Sequence, residues 1–262
     1  MHMGTSLPRC LRQATAWLLV AACALLAPAV LAGDLQVSPI SLEFSPTEQA
    51  QGLWLSNTGT ATLRAQVRVQ QWSQAGGEET LANTSELVAS PPILEIPPGQ
   101  SQLVRIIRLA ADPSPRELSY RLLVDELPDE TRAETSGLQL LLRYSIPVFV
   151  LPGGTAPTLA SSQPAPATDT SALAASLQTG NGGVLQLDNR GRQRVRISNL
   201  VYVNADGSRI ELVPGLLGYV LAGQQMQWPL PLPGSARAGG TLKAKFNNDA
   251  AEQTLSLQPP VR

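Results

Sequence analysis

The sequence predicts an all-β protein of two β-sandwich modules joined by a linker and preceded by a removable N-terminal segment. Three observations predict it. Apolar and polar residues alternate with period two along several stretches. Proline and glycine are frequent, 22 and 21 of 262 residues, while aromatics make up only 4%, a mixture that suits short strands and many turns better than long helices or disorder. A nearly uncharged stretch rich in Pro, Ala, Ser and Thr then divides the alternating segments into two sets.

The first element is an address. Arg9 and Arg12 precede an uncharged apolar run over residues 14–32 that ends in small residues, the pattern of a secretory signal peptide cut after Ala32. A run of about 18 apolar residues is marginal for a bilayer span, and Pro28 interrupts its end. Cleavage removes the only histidine, His2, and both cysteines, Cys10 and Cys23. The mature chain then has no imidazole and no thiol, which excludes a Cys nucleophile, a Ser-His pair, a zinc site with N/S ligands and a disulfide. Carboxylate and lysine chemistry stay formally open. Loss of Arg9 and Arg12 leaves 17 basic against 20 acidic residues, the wrong sign for gripping phosphates, so no nucleic-acid partner is expected. Nothing calls for a cofactor, a metal or a small-molecule substrate, and the chain is not expected to be an enzyme.

The first module, residues 33–152, carries the clearest strands. Leu63, Ala65, Val67 and Val69 alternate with Arg64, Gln66, Arg68 and Gln70. Further strands are expected over 35–44, 52–55, 102–109, 120–127 and 138–150. Turn chemistry at Asn57-Thr-Gly59, Pro97-Pro-Gly99, Pro113-Ser-Pro115 and Pro128-Asp separates them, and the regular spacing favours a sandwich of two antiparallel sheets. Residues 153–175 read as the linker. The second module, 176–262, offers strands over 184–187, 194–203, 209–213, 225–232 and 241–246, with Asp206-Gly207 as a hairpin turn. The two halves echo each other: Leu55-Ser-Asn57-Thr-Gly59 has the spacing of Leu187-Asp-Asn189-Arg-Gly191.

The run from Gly137 to Val150 is the most informative. Leu138, Leu140, Leu142, Tyr144, Ile146, Val148 and Val150 keep one face apolar for seven alternating steps. At about 3.3 Å per residue this is over 40 Å of strand, longer than an ordinary sandwich strand. Its leucines either fill the module's own core or project outward for another chain. Polar residues 128–136 directly precede it, which would leave its first half at an accessible edge.

Four runs carry a resemblance. Asn57-Thr-Gly59, then Pro91-Pro92 with Ile96-Pro-Pro-Gly-Gln-Ser-Gln-Leu-Val-Arg105, then Tyr120-Arg-Leu-Leu-Val-Asp-Glu-Leu-Pro128, then Leu140-Leu-Leu-Arg-Tyr-Ser-Ile-Pro-Val-Phe-Val150 resemble the periplasmic pilus-assembly chaperones of the PapD-like family. The last two look most like its archaic, Csu-type branch. The resemblance implies two immunoglobulin-like domains and a chaperone that lends an edge strand to a pilin subunit lacking its own, until another subunit replaces it at an outer-membrane usher. Leu138, Leu140, Leu142 and Tyr144 would then form the donor row. Burying each leucine of that trio contributes about 1.5–3 kcal/mol, roughly 5–9 in all before ordering costs. The family also holds the subunit's terminal carboxylate with basic residues. In its best-known branch these are an Arg on the first strand and a Lys on the last, positions occupied here by Ser41 and Pro147. The substitute expected here is Arg121, whose guanidinium suits a carboxylate, with Arg143 as the second choice.

Other features read more plainly. Trp54, Trp72 and Trp228 suit core packing or a sheet edge. Asp125 and Glu126 are consecutive on a strand and point to opposite faces, so they make a poor acid/base pair. The competing function is a secreted structural or adhesive module of the pilin kind. Such a chain is expected to carry one incomplete domain and a free N-terminal donor strand, whereas here there are two modules and the longest alternating strand is internal.

Overall fold

The structure is a computed structural model that describes residues 34–109, 113–128, 140–155, 168–180, 182–232 and 239–257. The expected signal peptide, Leu138 and most of the expected linker lie outside the described residues. Among the described residues there are seventeen strands and no helix, and Leu35–Arg262 forms one compact unit.

The first sandwich packs two sheets around one apolar core. One sheet runs β1 (Leu35–Ser38), β3 (Ala50–Asn57), β8 (Ser101–Arg108), β6 (Leu87–Ser90). The other runs β2 (Leu42–Phe44), β10 (Arg143–Val150), β9 (Leu118–Leu127), β4 (Leu63–Ala75), β5 (Glu78–Asn83), with β7 (Ile93–Ile96) paired to the first half of β4. Alternation places the side chains as expected: Leu63, Ala65 and Val67 of β4 and Tyr120, Leu122 and Val124 of β9 are buried together with Leu53, Leu55, Val104 and Ile106 of the facing sheet.

Several boundaries differ from the sequence expectation. The 35–44 run is two strands in different sheets, because the chain crosses from one layer to the other at Pro39 and Ile40, and a proline has no N–H to give a ladder. β5 shows no alternation because it is exposed along its whole length. β6 and β7 are short and divided by Pro91-Pro92. The single long strand 138–150 is also shorter than expected: among the described residues it is regular only over Arg143–Val150. Its partner β9 ends at Leu127, opposite the residues that precede Leu142, so there is little further ladder for the leucines to join.

The second sandwich consists of β11 (Leu173–Gly180), β12 (Gly182–Asn189) and β15 (Gln225–Leu230) facing β14 (Arg209–Val220), β13 (Val195–Val203), β16 (Thr241–Phe246) and β17 (Gln253–Leu255). Its own core holds Leu185, Leu187, Ile197, Leu200, Leu242 and Phe246. β11 begins at Leu173, inside the stretch whose composition reads as linker. Its run Leu-Ala-Ala-Ser carries no charge and little bulk, so it resembles the segment before it.

In β4 the buried positions change parity. Odd residues are buried as far as Val67, and then Trp72 and Gln74 are buried instead. The first set faces the sandwich core and the second faces outward, where the second sandwich covers it. Trp72, Phe149 and Leu221 form a separate buried cluster there, flanked by Tyr219. Tyr219 meets Trp72 edge-on at 5.6 Å between ring centroids, a geometry that aromatic quadrupoles favour. Trp72 is thus a packing residue between the sandwiches, Trp228 packs against the second core, and Trp54 stands half-exposed on the outside of the first.

Candidate functional site

The border of β10 is built from strand alternation. The Glu126 N–H donates to the Leu142 carbonyl at 2.9 Å, and the Leu151 N–H donates to the Phe44 carbonyl at 2.9 Å. Even-numbered residues therefore turn their main chain toward β9, and odd-numbered ones turn it the other way, toward β2. β2 pairs only with Val148–Val150. Arg143 and Ser145 accordingly present N–H and C=O groups along a border that, among the described residues, no strand covers. Pro147, where the pairing with β2 begins, has no N–H to give to a ladder.

The expected donor residues take different positions. Leu140 is 75% exposed, and its neighbour Leu141 is 45% exposed. Leu142 and Tyr144 are half-buried and pack against the first core, and the Tyr144 hydroxyl donates to the Leu35 carbonyl at 2.6 Å. Ile146, Val148 and Val150 are sealed inside. One apolar row thus runs from full exposure at Leu140 to complete burial at Ile146. Leu142 is already half-buried in the free protein, so the roughly 5–9 kcal/mol expected of the trio is an upper bound.

The two arginines expected to hold a carboxylate lie on the outer face of the same sheet but not together. Arg143 pairs in register with Asp125, and Arg121 with Pro147. They are four ladder positions apart, about 13 Å along the strand, too far for one carboxylate to reach both. Arg143 is already engaged: its Nε donates to Asp125, which also accepts from Arg68 at 2.6 Å. Burial pushes the Asp125 carboxyl up, but hydrogen bonds and charge from Arg68 and Arg143 outweigh it and hold the group below its ordinary value. Glu126 points to the other face and accepts from the Leu142 N–H at 3.2 Å, so the adjacent acids do not meet.

Arg121 has a different setting. Its guanidinium carbon lies 3.6 Å from the Trp72 ring centroid, a cation–π contact. Among the described residues its one ion pair, to Glu79 on β5, is loose at 3.6 Å. Burial lowers its pKa, with the Glu79 carboxylate and Tyr219 pulling it back up. Leu42 pairs with Val148 in parallel, so Ser41 lies beside Pro147, and Pro147 faces Arg121. Ser41, Pro147 and Arg121 therefore form one row across three neighbouring segments.

A second arginine, at the joint between the sandwiches, was not legible in the sequence. Arg194, from the second sandwich, stacks over the Phe149 ring at 3.6 Å and donates to Glu117 and Glu43 of the first, both at 2.6 Å. Burial raises the Glu117 carboxyl, and Arg194 partly offsets it. With two carboxylates in place Arg194 clips the sandwiches together, which leaves Arg121 as the more loosely held cation. Only a partner some 77 residues away in sequence reveals this.

Residues 34–156 match the family model of the pili and flagellar-assembly chaperone, PapD N-terminal domain. No curated protein matches the sequence. Among solved structures, a chain of the CsuC–CsuE chaperone–tip adhesion subunit pre-assembly complex, from the archaic chaperone–usher Csu pili of Acinetobacter baumannii, is 25% identical. It aligns over 85% of this chain and 97% of its own length with a TM-score of 0.64. The YadV chaperone is 19% identical over 85% and 98%, TM-score 0.58. A chain of the Salmonella enterica SafA pilin–SafB chaperone complex is 16% identical over 87% and 99%, TM-score 0.58. Residues 34–156 thus match the PapD N-terminal domain of pilus-assembly chaperones, and both sandwiches share the fold of these solved structures.

Proposed function

We propose that this chaperone captures pilin subunits by lending them the open border of β10, and hands them to an outer-membrane usher. The family is one of non-enzymatic, periplasmic chaperones. Export by residues 1–32, a subunit-binding domain over 33–152, a linker over 153–175 and a second domain over 176–262 complete the reading. One observation carries it. Arg143 and Ser145 offer main-chain groups on a side of β10 that no strand among the described residues covers, and the exposed Leu140 stands just before them. A subunit that lacks one strand could satisfy those groups as a ladder and take Leu138, Leu140, Leu142 and Tyr144 into its groove, gaining directional hydrogen bonds and apolar burial together. The likeness at 25% identity to a chain of a chaperone–tip subunit complex supports a subunit as the partner. Arg121, beside the positions that are basic in the best-known branch, would hold the subunit's terminal carboxylate.

The test is co-expression with a pilin subunit encoded beside this gene. Leu140→Glu is expected to leave circular dichroism unchanged, because an exposed substitution shifts stability by about 0.5 kcal/mol or less. It is expected to abolish copurification of the subunit, because a carboxylate cannot enter an apolar groove without a heavy desolvation cost. A folded Leu140→Glu protein that still retains its subunit would defeat the proposal.

A further inference from the structure

The surroundings of Arg121 are unequal in donors and acceptors. The guanidinium brings five N–H groups, and the Trp72 indole beneath it has a buried Nε1–H with no acceptor. Among the described residues one carboxylate stands against these, Glu79, at 3.6 Å and 40% exposed. Glu79 lies on β5, an edge strand exposed throughout, and pairs with Gln74 on β4, so its side chain shares the sheet face of Trp72 and Arg121. Its carboxylate can swing into solvent without disturbing the core.

We infer that Glu79 is an internal stand-in for the subunit's terminal carboxylate: it holds Arg121 in the free chaperone and is displaced when a subunit arrives. This rests on Arg121 being the carboxylate anchor. The chemistry of the exchange is one carboxylate for another, with no bond made or broken. Its physical use is to keep a partly desolvated guanidinium compensated while no subunit is bound. Without Glu79 that charge would face the burial cost alone, or recruit stray anions. The pair is loose and half-exposed, so it offers weak competition. Exposed pairs of this kind change an equilibrium by up to about fivefold, little enough for a subunit anchored along β10 as well to prevail.

The experiment titrates the full chain with an acetylated octapeptide of alternating Val and Thr ending in a free carboxylate, and with its C-terminal amide. Nuclear magnetic resonance follows the Arg121 Nε–H and the Trp72 Nε1–H. Glu79→Gln is expected to bind the free acid about threefold to fivefold more tightly than the wild type, with no gain for the amide. Arg121→Ala is expected to bind acid and amide alike. Equal or weaker binding of the acid by Glu79→Gln, with Arg121→Ala still impaired, would overturn the stand-in role and leave the anchor in place. Unimpaired acid binding by Arg121→Ala would overturn both.

Discussion

Asn57 and Asn189 show how one side chain can stand in for missing main chain. Each is almost fully buried at the end of a strand. The Asn57 amide donates to the Ala61 and Ile96 carbonyls at 2.7 and 2.8 Å, and its oxygen accepts from the Gly59 N–H at 2.9 Å. Asn189 repeats the set with the Gln193 carbonyl at 2.8 Å, the Val220 carbonyl at 3.0 Å and the Gly191 N–H at 2.9 Å. In both cases the amide closes an Asx turn and ties it to a distant strand. The spacing echo between the two halves is thus a repeated physical device. Asn57→Ala and Asn189→Ala each leave buried carbonyls without donors, and each is expected to lower the unfolding free energy by about 1–3 kcal/mol in urea titrations. A loss below about 0.5 kcal/mol at both sites would mean that water replaces the amide. This much was readable from sequence, because an Asx turn is local. Which arginine is already engaged was not readable, because that depends on Asp125 and Glu79 from other strands.

At the scale of elements, burial against a core decided much of what was legible. β4 and β9 each bury one face against the core, and burial of one face writes a period of two. β5 buries neither face, so Glu78-Glu-Thr-Leu-Ala-Asn carries no such period. The second half of β10 buries both, as Ile146-Pro-Val-Phe-Val is covered by the core on one side and by Trp72 and Leu221 on the other. Whether its first half was an edge or a centre could not be read, since pairing is a property of neighbours. What holds that half in place is Asp125, which binds Arg68 of β4 and Arg143 of β10 from its own position on β9. The carboxyl is held below the ordinary value of 3.8. A folded pKa below the unfolded one gives a contribution that is complete above the unfolded value and is lost as pH falls through the folded one. Asp125→Asn should therefore melt below the wild type at about pH 6, with the gap closing as pH drops under about 3.8. Thermal melts followed by circular dichroism across that range check this, and a gap that stays constant would place the effect outside the ionised pair.

For the molecule as a whole, the joint between the sandwiches decides how the border of β10 is presented. Gln74 is the key to it. Its Nε2 donates to the Tyr219 carbonyl at 2.8 Å and its Oε1 accepts from the Leu221 N–H at 2.9 Å, while its own N–H donates to the Gln224 side chain. One amide thus completes the end of β14 across the joint, beside the Trp72, Phe149 and Leu221 cluster and the Arg194 clip. None of this could be derived from sequence, where Gln74 is one polar residue among several and its partners lie about 145 residues away. Gln74→Ala removes the side-chain bonds but leaves each sandwich core intact, so the far-ultraviolet circular dichroism is expected to stay the same. The orphaned Tyr219 carbonyl and Leu221 N–H then favour water over the joint, at a cost of about 1–3 kcal/mol for each buried group. Trp72, only 1% exposed in the closed joint, should become wet, and its emission should shift to longer wavelength. Trp72→Phe in the same background identifies the source, because the shift must disappear with the indole. Unchanged emission in Gln74→Ala would show that Arg194 with Glu43 and Glu117 holds the joint without it.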